Sequence, residues 1–185
     1  LISFKTSMAN KTLFLENEFS YRFNCNHTTF LNSGSSADLI AIRSTIKSPL
    51  NKLKEGDKVL VPAITWPTQI WSVIQAGLIP VLFDCCPVTF NPDIGSIPED
   101  TLIEAKAIFT THILGTCSDM DLLINICDSY DLILIEDTCE SFGSKYKDKL
   151  LGTFGIAGTF SSYFSHHITT LEGGFMITND QDIDS

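Results

Sequence analysis

Two adjacent histidines, His166 and His167, stand in the segment F160-S-S-Y-F-S-H-H-I-T-T-L-E-G-G174, between a hydroxyl-rich stretch and a Gly-Gly turn. Imidazole titrates near neutral pH, so such a residue can take up a proton and give it back. In extended backbone the two side chains point to opposite faces, so at most one of them meets a given reactant. The other reading is a hydrogen-bonded loop histidine. A zinc site needs several ligands at helical or knuckle spacing, which these histidines and the scattered cysteines do not supply. No metal is expected. The turn S33-G-S-S-A37 opens a helical pattern, where backbone N–H groups and hydroxyls can hold a phosphate monoester. A plain serine-rich helix cap has the same composition. The turn lacks both the G-K-[ST] ending of a P-loop and the G-x-G-x-x-G spacing of a dinucleotide site. Asp137 ends the apolar run L132-I-L-I-E-D137, and a carboxylate there needs a cation or hydrogen-bond donors. A protonated pyridine nitrogen would serve, as would a structural ion pair or a helix N-cap. Trp66, in T65-W-P-T68, offers a face for a flat ring or for core packing. Glu172-Gly173-Gly174 marks a plain turn or a close backbone approach.

These residues have to be positioned by elements, and the chain becomes regular from Leu31. Leu39, Ile40, Ile42 and Ile46 are spaced as one helical face, with Pro49 as the stop. K58-V-L-V-P62 reads as a buried strand, Gln69 to Ala76 as a helix stopped by Gly77, and P80-V-L-F-D84 as the next strand. A105-K-A-I-F-T-T-H112 and L132-I-L-I-E-D137 are further strands, separated by a helix that Asp119 caps and that runs to about Tyr130. G152-T-F-G155 and G158-T-F-S-S-Y163 read as Gly-punctuated strands, and F175-M-I-T178 as a last one. Continuous apolar strands of this kind are buried on both faces, as in a parallel sheet covered by helices, so the chain is α/β. Such sheets bind ligands at the carboxyl ends of their strands, where these polar residues fall. Residues 1 to about 30 show no clear period and read as loop and short elements.

Composition narrows the class. The chain has 185 residues and a formal net charge of -10, with no lysine- or arginine-rich tract, which disfavours nucleic acid as a partner. Its apolar runs are too short for a bilayer span, so no membrane partner is expected. The six cysteines include no C-x-x-C spacing, and no secretory signal opens the sequence. Reduced thiols in a soluble cytoplasmic protein are the expectation.

Taken in order, N32-S-G-S-S-A37, G56-D-K-V-L-V-P62, P80-V-L-F-D84, H112-I-L-G115, I135-E-D-T-C-E-S-F-G143, L151-G-T-F-G155 and S165-H-H-I-T-T-L-E-G-G174 resemble one family. It is the DegT/DnrJ/EryC1/StrS family of pyridoxal-phosphate-dependent sugar enzymes, of fold type I, and the resemblance runs from about Leu31 to Asp180. It implies a three-layer αβα sandwich with a mostly parallel mixed sheet. It also implies that Gly34, Ser35 and Ser161 hold the cofactor phosphate, that Trp66 stacks on the pyridine ring, that Asp137 pairs with the ring nitrogen, and that Glu140 lies near the 3-hydroxyl. Aminotransferases of the family carry a lysine where His166 stands, in a T-K-N-L-x-x-x-E-G-G context. A lysine amine joins the cofactor aldehyde covalently; imidazole cannot hold it that way. Histidine there resembles the family's 3-dehydratase branch, and in particular its GDP-sugar type. The implied cofactor is pyridoxamine 5'-phosphate, interconverting with pyridoxal 5'-phosphate. The implied reaction removes the C3 hydroxyl of a nucleotide-linked 4-keto-6-deoxyhexose in dideoxysugar and O-antigen biosynthesis. His166 would be the catalytic base and glutamate the amino donor.

Two other readings stand beside it. A sugar aminotransferase of the same family would need a lysine, and none lies between Lys149 and Ser185. A noncatalytic remnant would keep the fold and bind only cofactor or a partner chain. The CDP-sugar dehydratases of the branch use a [2Fe–2S] cluster, and Cys139 falls where they resemble having a cluster cysteine. Residues 1–30 are expected to lead into a cofactor-binding large domain over 31–185, without the family's C-terminal small domain, and a homodimer is expected.

Overall fold

The computed structural model describes residues 10–48 and 53–184. A seven-stranded sheet organises the chain, in the order β1-β9-β8-β5-β4-β2-β3. Its strands are β1 (His27–Leu31), β2 (Lys58–Pro62), β3 (Ile79–Phe83), β4 (Ala105–Thr111), β5 (Ile133–Asp137), β8 (Ala157–Ser161) and β9 (Gly174–Thr178). The β3, β2, β4, β5 and β8 strands are mutually parallel, whereas β9 runs antiparallel to both β8 and β1. Two short strands, β6 (Lys145–Tyr146) and β7 (Lys149–Leu150), form a separate hairpin.

The strands are apolar throughout because both faces are covered, and alternate residues reach opposite layers. Val59, Val61, Phe109, Ile135, Ala157 and Met176 face helices α2 (Gly34–Lys47) and α3 (Pro67–Gln75). Leu60, Ile108 and Leu134 face the opposite layer, with α4 (Glu99–Glu104) and α5 (Met120–Tyr130). Phe160, Phe175 and Ile177 meet Phe19 and Phe23 of α1 (Asn10–Phe23) in a cluster of stacked and edge-on rings. The fold is thus the mixed-sheet three-layer sandwich that the resemblance implies.

Local chemistry sets the boundaries. Asp119 accepts from the N–H groups of Asp121 and Leu122, capping α5 as its position suggests, and Asp131 ends that helix in the left-handed region. Gly77, at φ 80°, turns the chain out of α3 toward β3.

Four readings are corrected. Residues 10–30 are not loop and short elements: they hold α1 and most of β1. The period of α1 is obscured because Leu13, Phe14 and Tyr21 are apolar and yet exposed, while the buried face is Phe19 and Phe23. G152-T-F-G155 is a turn and not a strand, since its amides point inward to a buried carboxylate. The buried face of α2 keeps Ile42 but is otherwise Gly34, Ala37, Asp38, Ala41 and Thr45, smaller residues that let the helix approach the sheet, whereas Ile40 is exposed. β3 is an edge strand, with Ile79 and Leu82 open to solvent. Pro49, read as the stop of α2, lies outside the described residues. A final short helix, α6 (Gln181–Asp184), follows β9. Among the described residues no helix is long and apolar enough to cross a membrane.

Candidate active site

A cleft of about 570 Å³ opens at the carboxyl ends of the parallel strands, lined by residues from the start of α2, the ends of β4, β5 and β8, and the loops after them. Gly34, Ser35, Trp66, Asp137, Glu140, Ser161 and His166 all line it. Residues up to 132 positions apart in sequence therefore meet in one place (166 − 34).

The start of α2 is built for close approach. The Ser33 hydroxyl accepts from the N–H of Ser36 at 3.1 Å, leaving the earlier N–H groups of the first turn to point out of the helix. A Cβ on Gly34 would lie 2.7 Å from Ser161 Cβ and 2.9 Å from Cys139 Sγ, so only glycine lets the helix start sit against both. From the other side a Cβ on Gly174 would fall 2.2 Å from the Ser33 carbonyl oxygen, which locks the start of β9 onto the same turn. Ser35 donates to Thr68 Oγ1 at 3.0 Å and ties this turn to α3. The Thr65 and Thr111 hydroxyls lie 2.8 Å apart, and Thr111 donates to Gln69 Oε1 at 2.9 Å, which fixes the Trp66 loop to the end of β4. Trp66 itself is 64% exposed, with its face free for a ligand.

Two consecutive carboxylates end β5, and they are used differently. Glu136 is fully buried and accepts from the backbone N–H groups of Gly152, Phe154 and Gly155 at 2.6–2.8 Å, with His112 Nε2 at 3.0 Å. Its hydrogen-bonding capacity is spent within the fold. Asp137 is 3% exposed and accepts from the Cys139 N–H at 3.0 Å. Burial pushes its carboxyl above the usual range, against the lowering effect of the Cys139 hydrogen bonds and of His112. Asp38 lies beside it, 2% exposed, accepting from the Thr159 hydroxyl at 2.6 Å. Burial, then the negative charge of Asp137, push Asp38 well above its ordinary range. Among the described residues, neither aspartate forms an ion pair with a lysine or arginine. Glu140 Oε2 accepts from the Leu114 N–H at 3.3 Å at the cleft edge.

His166 sits in the loop joining β8 to β9, with its N–H donated to the Tyr163 carbonyl at 3.0 Å and its ring edge-on to Tyr163. His167 is exposed and does not line the cleft, although the pair lies in a bend and not in the extended backbone that alternation of side chains presupposes. The loop is closed at its neck: the Ser162 N–H donates to the Gly173 carbonyl, the Thr170 N–H to the Ser162 carbonyl, and the Ser162 and Thr170 hydroxyls lie 2.8 Å apart.

Sequence reasoning missed Asp38, Thr159 and this neck. The position of Asp38, one helical turn after Gly34, is the signal that places it on the same face. The residues present fit a flat phosphorylated pyridine. A helix start faces the cleft with N–H groups and hydroxyls for an anion, Trp66 gives an apolar face, and Asp137 is a buried carboxylate without a cation. They do not fit an iron–sulfur cluster at Cys139, whose thiol is pushed far up by burial and by the charges of Asp137 and Asp38, the reverse of what a thiolate ligand needs.

Comparison with known proteins agrees with this geometry. The sequence profile described as the DegT/DnrJ/EryC1/StrS aminotransferase family matches residues 3–185. GDP-4-keto-6-deoxy-D-mannose 3-dehydratase of Escherichia coli O55:H7 is 39% identical, over 91% of this chain and 43% of that protein. Among solved structures, a histidine-to-asparagine mutant of GDP-4-keto-6-deoxymannose-3-dehydratase with bound GDP-perosamine superposes with a TM-score of 0.91 at 37% identity, covering 96% of this chain and 46% of that one. The same enzyme with a trapped PLP-glutamate geminal diamine gives 0.88 at 35% identity, covering 96% and 46%. The chain spans less than half the length of these relatives.

Proposed function

Because the chain belongs to the DegT/DnrJ/EryC1/StrS aminotransferase family, we propose that it is the cofactor-binding part of a 3-dehydratase acting on a nucleotide-linked 4-keto-6-deoxyhexose, with GDP as the nucleotide. The observation that carries this reading is His166 on the cleft wall that also holds Asp137, Trp66 and the start of α2.

In this reading the N–H groups of the α2 start, with Ser35 and Ser161, bind the phosphate of pyridoxamine or pyridoxal phosphate. Trp66 lies against the flat ring, and Glu140 stands near the 3-hydroxyl. Asp137 pairs with the ring nitrogen and holds its proton in place by charge. When bound, the cofactor supplies an amine for the sugar ketone and a protonated ring that draws electrons from the reacting carbons. His166 moves the protons: its imidazole nitrogen accepts a carbon-bound proton and delivers one to the oxygen leaving C3. A lysine would tether the cofactor; His166 does not, so the aminated form is held by noncovalent contacts alone, and glutamate restores it. The cytoplasm is the compartment this cofactor chemistry suits, and a homodimer is the proposed assembly.

Absorbance spectra with pyridoxamine and pyridoxal phosphate, followed by borohydride and mass spectrometry, test the site. Binding without a reducible lysine adduct is expected, and a covalent adduct at the cleft would sink the histidine reading. His166→Asn should retain cofactor and lose dehydration of the GDP-sugar, while His166→Lys should become reducible onto the cofactor. In the CDP-linked sugar a lower rate is expected.

A further inference from the structure

Asp38 has no part in the chemistry above, yet its carboxylate, that of Asp137 and the Cys139 thiol bring their polar atoms within 4.8 Å of one another. Two ionised carboxylates that close inside a protein repel, and burial penalises each charge, so the pair holds a proton. Hydrogen bonding decides which member has it. Asp137 receives the Cys139 N–H at 3.0 Å and the Cys139 thiol as donors, and the nearby His112 also favours its charge. Asp38 has the Thr159 hydroxyl at 2.6 Å, and that hydroxyl also lies 3.4 Å from the Glu136 carbonyl oxygen. A hydroxyl has one hydrogen to give. Thr159 thus gives Asp38 one donor, against the two that Cys139 gives Asp137, so the proton falls to Asp38.

Among the described residues, the titratable groups that share the cleft with Asp38 are Asp137, Cys139 and Glu140 of β5 and its turn, and Tyr163, His166 and Glu172 of the loop between β8 and β9. Strands β8 and β9 and helix α3 carry none in their sequences, and β5 with its following turn contributes Asp137, Cys139, Glu136 and Glu140. Glu136 is already saturated by amides and His112. His27 of β1 pairs with Thr178, at the far end of β9 from Gly174 and Ser33, and α6 follows that same far end.

We propose that Asp38 is a positioning residue that carries the shared proton of the carboxylate pair, so that Asp137 stays ionised for the ring nitrogen of the cofactor. This rests on the reading of Asp137 given above. Asp38 is then neutral and adds no second charge beside the ring. A neutral isostere does the same task, and a charged or shortened side chain does not.

Carbon-detected NMR of the chain labelled at its aspartate carboxyl carbons tests this, titrated with and without pyridoxamine phosphate. The carboxyl assigned to Asp38 through its own amide is expected to keep its protonated shift at pH values above the usual carboxylate range, where Asp137 has already lost its proton. An ionised Asp38 there, or a proton on Asp137 in the loaded protein, overturns the proposal. Asp38→Asn is expected to bind pyridoxamine phosphate within about threefold of wild type, while Asp137→Asn loses about tenfold or more. Equal losses overturn it. Without cofactor, the folded state holds a proton that the unfolded chain releases above the ordinary aspartate value of 3.8, so this group costs stability increasingly as pH rises toward its folded value. The thermal midpoint of Asp38→Asn should therefore gain on wild type as pH rises, and the opposite trend overturns the proposal. A wild-type chain that binds no pyridoxamine phosphate sinks the reading of the cleft, and the cofactor-free titration still locates the proton.

Discussion

Glu136 and Asp137 are neighbours of the same residue class with opposite fates, because alternate side chains of β5 enter different surroundings. Glu136 meets three amides and an imidazole; Asp137 meets one amide, a thiol and a second carboxylate. Glu136→Gln would turn an N–H₂ toward donors that have no other acceptor, and a loss of about 2 kcal/mol in denaturant unfolding is expected, with cofactor affinity nearly unchanged. Asp137→Asn should do the reverse, sparing stability and weakening the cofactor. The place of Asp137 in the cleft was legible in the sequence because a carboxylate at the end of an apolar run needs an explanation. That of Glu136 was not, since its partners are amides 16, 18 and 19 residues later in a turn that reads as a strand.

The elements owe their placement to close approaches more than to propensity. Gly174→Ala would press a methyl group onto the Ser33 carbonyl, forcing β9 away from the start of α2. A cost of about 1–3 kcal/mol is expected from thermal unfolding, with weaker phosphate binding by the displaced turn. Asp119 shows the more ordinary control of an element. Its carboxyl is held below the usual range, first by the Leu122 N–H and then by the Tyr146 hydroxyl. Its stabilisation is therefore present above about pH 3.8 and lost as pH falls through the depressed value. Asp119→Ala should lower the thermal midpoint at neutral pH, and the gap to wild type should close in acid. The cap of α5 and the buried strands were legible from residue type and run length. Helix α1 was not, because its outward Leu13, Phe14 and Tyr21 erase the contrast that a helical period requires.

At the scale of the whole molecule the sandwich is two apolar layers on one sheet, and Phe109, fully buried at its centre, measures their cohesion. Phe109→Ala is expected to cost about 3–5 kcal/mol in chemical denaturation. The surface around the cleft is different: Trp66 and Leu114 on its wall, and Phe164 and Leu171 in the loop between β8 and β9, are 64%, 75%, 62% and 75% exposed, and large exposed apolar side chains mark a surface for association. Light scattering should therefore give twice the mass of the chain, and Phe164→Glu with Leu171→Glu should return it to one. Fold class was readable from the β/α alternation, but the antiparallel edge was not, because nothing in a strand's own residues states the direction of its neighbour. That edge has a consequence of another kind. With β8 and β9 antiparallel, the segment bearing His166 leaves and re-enters the sheet at paired residues, Ser161 and Gly174, and is cinched at its neck by its own hydrogen bonds. It is an exchangeable cassette on a fixed frame, so descent can rewrite the reaction there while the scaffold is inherited whole.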